Sequence, residues 1–346
     1  MHSRKQVTAL TLRPYQLLCM VCRVGGYRAH PRADILDKLL AAVRANPDIP
    51  VTLRCNSSSV YAYQDPGPED DTEEGGEYNR KRDLDILQRL DLAPGSTLPA
   101  RTLVMRLLAR FETAAGTCSY PGVTGDAWRG CGAACAGHYE QGRAKGLAAM
   151  MPPRPGDEMA REKRLSVERM YAARQLSIRP HLLMCAVCHY GEHGGMTGAL
   201  KEDNLVEFLD IVRSEPDTPV VMAKGADWMI CAPCPQRVPG LNACVNEAGS
   251  GGLSNEKRDL DLLQKLGLRY GDALPARQLY LLLFERVPNS ASICARDNPP
   301  YSVWWDGCGE ANRLGGKEAY ARGRQMLLAE FGSPNQVSGT ERTRGN

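Results

Sequence analysis

Apolar positions along the chain fall into two series that repeat one another. Ile35, Leu36, Leu39, Leu40 and Val43 recur at helical spacing, which predicts a helix over 33–45 with one buried stripe. Leu205, Val206, Leu209 and Val212 predict its counterpart, and both stripes stop before a proline, Pro47 or Pro216. Runs rich in strand-forming residues follow, over 49–53 and 219–222. Short apolar stretches at 8–13 and 176–179 predict strands, with Pro14 and Pro180 suited to the first turn of a following helix. The segments 79–88 and 255–264 predict helices. Leu-Pro-Ala-Arg at 98–101 and again at 274–277 opens another, with Leu103, Leu107, Leu108 and Phe111 echoed by Leu279, Leu283 and Phe284. A closing helix is expected near 138–150 and near 316–331. The shared order predicts a helix-rich α+β protein built as a tandem duplication of one cysteine-rich module.

The first copy spans 8–149 and the second 175–331, joined by a linker over 150–174 where prolines and a dense charge run predict exposed chain leading into a helix. The tail, 332–346, has almost no apolar residue and is expected to be disordered. Basic and acidic residues nearly cancel, 43 against 40, and no basic block is interleaved with aromatics, so nucleic acid is not an expected partner. No apolar run approaches the roughly 20 residues that cross a bilayer. Without a signal-peptide pattern, a cytoplasmic protein with no membrane partner is expected.

Thirteen cysteines change the picture. In a reducing compartment such clusters point to metal binding or catalysis rather than disulfides. Arg13-Pro-Tyr-Gln-Leu-Leu-Cys19-Met-Val-Cys22 recurs as Arg179-Pro-His-Leu-Leu-Met-Cys185-Ala-Val-Cys188, setting two thiols on one helical face. Each copy later offers two more, Cys118 and Cys131 or Cys294 and Cys308, the second introduced by Trp128-Arg129-Gly130 or Trp305-Asp306-Gly307. Four thiolates complete a coordination shell, and soft sulfur selects zinc, copper(I) or iron–sulfur clusters. Buried structural thiols are the plainer alternative. The second copy alone adds Cys231-Ala-Pro-Cys234-Pro235 and Cys244. The first copy has an acidic, glycine-rich loop there, with Ala62 and Asp65 in register with Cys231 and Cys234.

This second copy, with its Arg-Pro-His-Leu-Leu-Met-Cys start, Cys-x-x-Cys-Pro centre and terminal cysteine-rich loop, resembles a prokaryotic family of small cysteine-rich proteins. Those proteins have unknown function, an Arg-x-His-His-Leu-Leu-Cys start, and a label as iron–sulfur binding. The resemblance implies a cofactor site drawn from Cys185, Cys231, Cys234, Cys244, Cys294 and Cys308. Leu182 replaces the second histidine and Met184 precedes Cys185, so the opening departs from the pattern. The first copy lacks the three central cysteines, and a family-type site is not implied there.

The two constellations disagree over which four residues ligate, and the second copy is the first place to look. The expected function is a metal-binding protein holding an iron–sulfur cluster, of the 4Fe–4S type, through four of Cys185, Cys188, Cys231, Cys234, Cys244, Cys294 and Cys308. Cys19, Cys22, Cys118 and Cys131 form the corresponding metal quartet of the first copy. Electron transfer or redox sensing with an unidentified redox or protein partner would be its role. A structural zinc module and a thiol oxidoreductase using a Cys-x-x-Cys pair are the alternatives. His181, His189 and His193 lie near the thiols, though exposed or core histidines are the plainer reading. Asp83, Asp85, Asp259 and Asp261 read as a solvated or capping face. Arg13 and Arg179 are expected to pair with a carboxylate or to sit beside thiolates. Gly25-Gly26 and Gly194-Gly195 read as turns, since no phosphate-binding glycine pattern occurs.

Overall fold

The computed structural model describes residues 9–55, 59–120, 122, 125–195, 198–238, 242–244, 252–294 and 314–332. The chain divides into two compact units at the step from Pro153 to Arg154. The first contains β1 (Leu10–Leu12), α1 (Pro14–Val24), α2 (Ala33–Ala45), β2 (Pro50–Leu53), α3 (Gly76–Leu90), β3 (Thr97–Pro99), α4 (Ala100–Arg110), α5 (His138–Ala144) and α6 (Gly146–Met150). The second opens with α7 (Gly156–Ala172), β4 (Leu176–Ile178), α8 (Pro180–Glu192), α9 (Leu205–Ser214) and β5 (Pro219–Met222). It continues with β6 (Arg237–Val238), β7 (Ala243–Cys244), α10 (Gly252–Leu266), β8 (Ala273–Pro275), α11 (Ala276–Arg286), α12 (Ala291–Cys294) and α13 (Leu314–Phe331). Helices with small mixed sheets make this an α+β protein.

In the first unit β2 is central, parallel to β1 (Leu10 opposite Val51) and antiparallel to β3 (Val51 opposite Leu98). In the second, β5 takes the same place between β4 (Leu176 opposite Val220) and β8 (Val220 opposite Leu274). Strands β3 and β8 lie where the sequence reads only helix openings, because three residues are too few for a period-two signal. Pro99 and Pro275 are the last residues of these strands, in register with Pro50 and Pro219, and lead directly into α4 and α11.

Helix α1 buries Tyr15, Leu17, Leu18, Met20, Val21 and Cys22 in the core, and α8 buries Leu183, Met184, Ala186 and Val187. Each is crossed closely by a later helix of its unit, α1 by α5 and α8 by α13. A Cβ on Gly142 of α5 would lie 2.0 Å from the Val21 carbonyl oxygen, and one on Gly323 of α13 would lie 2.0 Å from that of Val187. Glycine is required on these helices because backbone meets backbone there. Both valines sit inside the Cys-x-x-Cys motif, so the same contact fixes the thiol pair against the closing helix.

The stretch 150–174 contains the helix its composition predicts, α7, and is packed at a few positions. Met150 and Met151 are buried in the first unit, while Met170 of α7 is buried in the core of the second. Helix α7 is held to α9 by a Lys163–Glu207 ion pair of 2.6 Å and by Asn204 Nδ2 donating to Ser166 Oγ at 2.8 Å. Its apolar face is narrow and its charges numerous, so most of its positions stay exposed or half-buried. Of the expected tail, all but Gly332 lies outside the described residues. Among the described residues no helix is long and apolar enough to cross a membrane.

Candidate metal centre

The entry to α1 is fixed by charge. The Arg13 N–H donates to Gln16 Oε1 at 2.7 Å, and its guanidinium binds Asp83 through Nε at 2.7 Å and Asp71 through Nη1 at 2.7 Å. The Tyr15 N–H donates to the other Asp83 oxygen at 3.0 Å. At the entry to α8, Arg179 binds Asp259 through Nε and Nη2 at 3.0 and 2.6 Å. The His181 N–H reaches the same carboxylate at 3.1 Å and Nδ1 lies 2.6 Å from it. Asp83 and Asp259 are therefore wholly buried anchors and not part of a solvated face. Asp85 and Asp261 do lie outward, each paired one helical turn away with Lys81 or Lys257 at 2.7 and 2.5 Å.

With α1 anchored, Cys19 and Cys22 face a cavity of about 230 Å³ that Cys118 and Cys131 also line. The two later cysteines are joined through the backbone, the Cys131 N–H donating to the Cys118 carbonyl at 2.7 Å. The Tyr78 hydroxyl donates to that same carbonyl at 2.5 Å. Gly130 adopts φ 78°, and a Cβ there would meet the Cys118 oxygen at 2.7 Å, so the turn that aims Cys131 demands glycine. All four members of the first predicted quartet thus meet in one place, across about 110 residues of chain.

The remaining wall comes from Tyr15, Tyr27, His30, Arg32, Arg82 and the acidic stretch 71–74. That stretch is tied down by the Arg13–Asp71 pair, by Arg32 bound to Asp70 at 3.0 Å and by the Tyr15 hydroxyl on the Asp70 carbonyl at 2.8 Å. Burial pushes the Cys19 thiol well above its ordinary pKa, with Cys118 adding to it, and pushes Cys22 up likewise. Cys118 is pushed up to about 12, again by burial, although the Arg82 charge pulls it down. Arg82 carries no sequence signal, since it sits in the charged run that reads as a helix surface.

In the second unit Cys185 and Cys188 pack on the core that holds Cys294, and Cys188 and Cys294 are within electrostatic reach of the buried Tyr320. Cys308, the fourth member of that quartet, lies outside the described residues. Cys231, Cys234 and Cys244 are within electrostatic reach of one another, and Cys231 and Cys244 of Arg179. Burial raises Cys231 well above its ordinary value, then Asp227 adds to it; Cys234 is pushed up to about 11 by burial.

The turn that carries the first two of these is braced from three sides. Arg154 Nη1 donates to the carbonyls of Ala232 and Cys234 at 2.5 and 3.2 Å, the Ile230 N–H donates to Asp227 at 3.2 Å, and Asn204 Nδ2 donates to the Met229 carbonyl at 2.5 Å. Cys244 is paired with Arg237 across β6 and β7 and accepts from Asn255 Nδ2 at 3.5 Å. In the first unit the Asp65 N–H donates to the Ala62 carbonyl at 3.0 Å, matching Cys234 and Cys231 at 3.1 Å.

His181 is held by Asp259, and burial lowers its pKa, so it is a neutral, fixed ring. The His189 and His193 rings lie 4.4 Å apart, tilted at 47° to one another, near the end of α8. Among the described residues no three His, Cys, Asp or Glu side chains are set to hold a metal ion. In the first unit the four thiols surround a volume instead of converging on a point. In comparisons with known proteins the chain matches no protein family, no curated protein and no solved structure.

Proposed function

We propose that this protein is a tandem duplication that holds iron–sulfur clusters of the 4Fe–4S type in thiol quartets and uses them in electron transfer or redox sensing. Cys19, Cys22, Cys118 and Cys131 are the ligands in the first unit, and Cys185, Cys188, Cys294 and Cys308 those in the second. The observation that carries the reading is the quartet lining one cavity of about 230 Å³ in the first unit. A structural zinc ion draws four sulfurs to about 2.3 Å from a single point, whereas a cluster fills space between its ligands. The donors fit the cofactor: soft thiols with a buried guanidinium to offset the negative charge of a thiolate-bound cluster. When bound, the cluster supplies one-electron chemistry; the chain supplies the ligands, the dry wall and the fixed charge.

Support for the duplication is detailed. Tyr139 and Tyr320 hydrogen-bond the carbonyls of Phe111 and Val287 at 3.1 and 2.8 Å, and Arg143 and Arg324 bind those of Leu108 and Phe284 at 3.1 and 3.2 Å. The thiol oxidoreductase reading is weaker, because a nucleophilic cysteine needs a lowered pKa and the burial of Cys19, Cys22 and Cys118 raises theirs. With the quartets as the ligands, Cys231, Cys234 and Cys244 are the candidates for a second metal site; the family resemblance instead makes them part of the main one.

The test is anaerobic purification of the full chain followed by a visible spectrum and measurement of iron, sulfide and zinc. Broad absorbance near ~400 nm with iron and sulfide is expected, and Cys118→Ser should remove the share bound by the first unit. A colourless protein with stoichiometric zinc would replace this reading with the structural one.

A further inference from the structure

Arg82 projects from α3 into the wall of the thiol cavity and is 2 % exposed. Its guanidinium lies over the Tyr15 ring at 4.0 Å and the Tyr78 ring at 5.1 Å, and Nη2 donates to Asn79 Oδ1. Nε, also buried, has no hydrogen-bond partner. Asp83 is next in sequence, but its oxygens are taken by Arg13 and the Tyr15 N–H. Among the described residues Arg82 forms no ion pair. A buried cation without an anion is costly, since desolvation is not repaid by attraction. The groups that act on it most strongly, after burial itself, are Cys118 and Cys19.

We propose that Arg82 is the counter-charge of the metal centre in the first unit and sets its reduction potential. This inference rests on the cluster reading above. One electron from a soluble one-electron donor enters the cluster, iron is reduced, and no bond or proton moves. The reduced centre carries one more negative charge than the oxidised one, and a fixed buried cation favours it. Net charge and hydrogen bonding to sulfur are established determinants of such potentials.

The test is a redox titration of the full chain, followed by its visible spectrum, in a Cys188→Ser, Cys231→Ser background that disables the second unit. Before any Arg82 variant is made, absence of iron and sulfide from the first unit would sink the cluster reading itself, and this inference with it. With the cluster present, Arg82→Met should disfavour reduction about tenfold, a downward shift of about 59 mV for one electron. Arg82→Lys should return most of it, which a purely structural role would not require. If Arg82→Met does not retain the cluster, Arg82→Gln, polar but uncharged, is titrated instead. A neutral variant that binds the cluster at the unchanged potential overturns the proposal.

Discussion

At the scale of single residues, neighbours in sequence have opposite fates. Asp83 and Asp85 lie two apart on one helix, yet the first is an interior anchor for Arg13 and the second a surface partner of Lys81. Composition cannot tell them apart, because the distinction lies in what α1 brings against α3. A similar environment acts on Asp48, in the turn before β2. Burial holds its carboxyl up at about 6 although Arg101 pulls the other way, and Oδ1 has no hydrogen-bond partner. Between about pH 4, near the unfolded value, and about 6 the folded protein retains a proton that the unfolded chain releases, so stability falls as pH rises through that window. Asp48→Asn should therefore stabilise the protein at neutral pH and make no difference below about pH 4. Melting midpoints of variant and wild type across that range would show it; a gap of constant size at all pH values would not fit.

At the scale of elements, the strand, helix and turn order was legible because each module keeps its periodicity and its prolines. Both Cys-x-x-Cys helices begin at the expected proline, and both paired helices stop before the next. What failed was short: β3 and β8 have three residues each. Glycine contacts were also invisible, since Gly142 resembles any loop-forming glycine until α5 is laid on α1. Gly142→Ala should destabilise the first unit by about 1–3 kcal/mol, as overpacking against backbone does. Gly156→Ala, where a Cβ meets nothing within 4 Å, should be neutral in the same urea titration. Equal midpoints for the two variants would show that the crossing can relax.

At the scale of the whole molecule, attention moves from the second module to the first. The family-like Cys-x-x-Cys-Pro centre drew the eye to the second. The completed quartet that the described residues display is in the first, where Cys19, Cys22, Cys118 and Cys131 share a cavity. Of the two constellations that compete for ligands in sequence, Cys231, Cys234 and Cys244 lie within electrostatic reach of one another, while Cys185, Cys188 and Cys294 pack in the core of the second unit. On the proposed ligand sets, Cys231→Ser should leave the iron and sulfide bound by the two quartets in place, as elemental analysis of the full chain would report. Loss of all iron from that variant would return the central cysteines to the main site.

The sequence by itself determined the repeated order of elements, the helical placement of each thiol pair and the chemical softness of the sulfur donors, because these depend on local periodicity and residue type. Only the tertiary structure decided that Cys118 and Cys131 close on Cys19 and Cys22, that Asp83 and Asp259 are interior, and that Arg82 lines the thiol cavity without an ion pair among the described residues. Those facts depend on contacts between residues far apart in the chain, which no local pattern encodes.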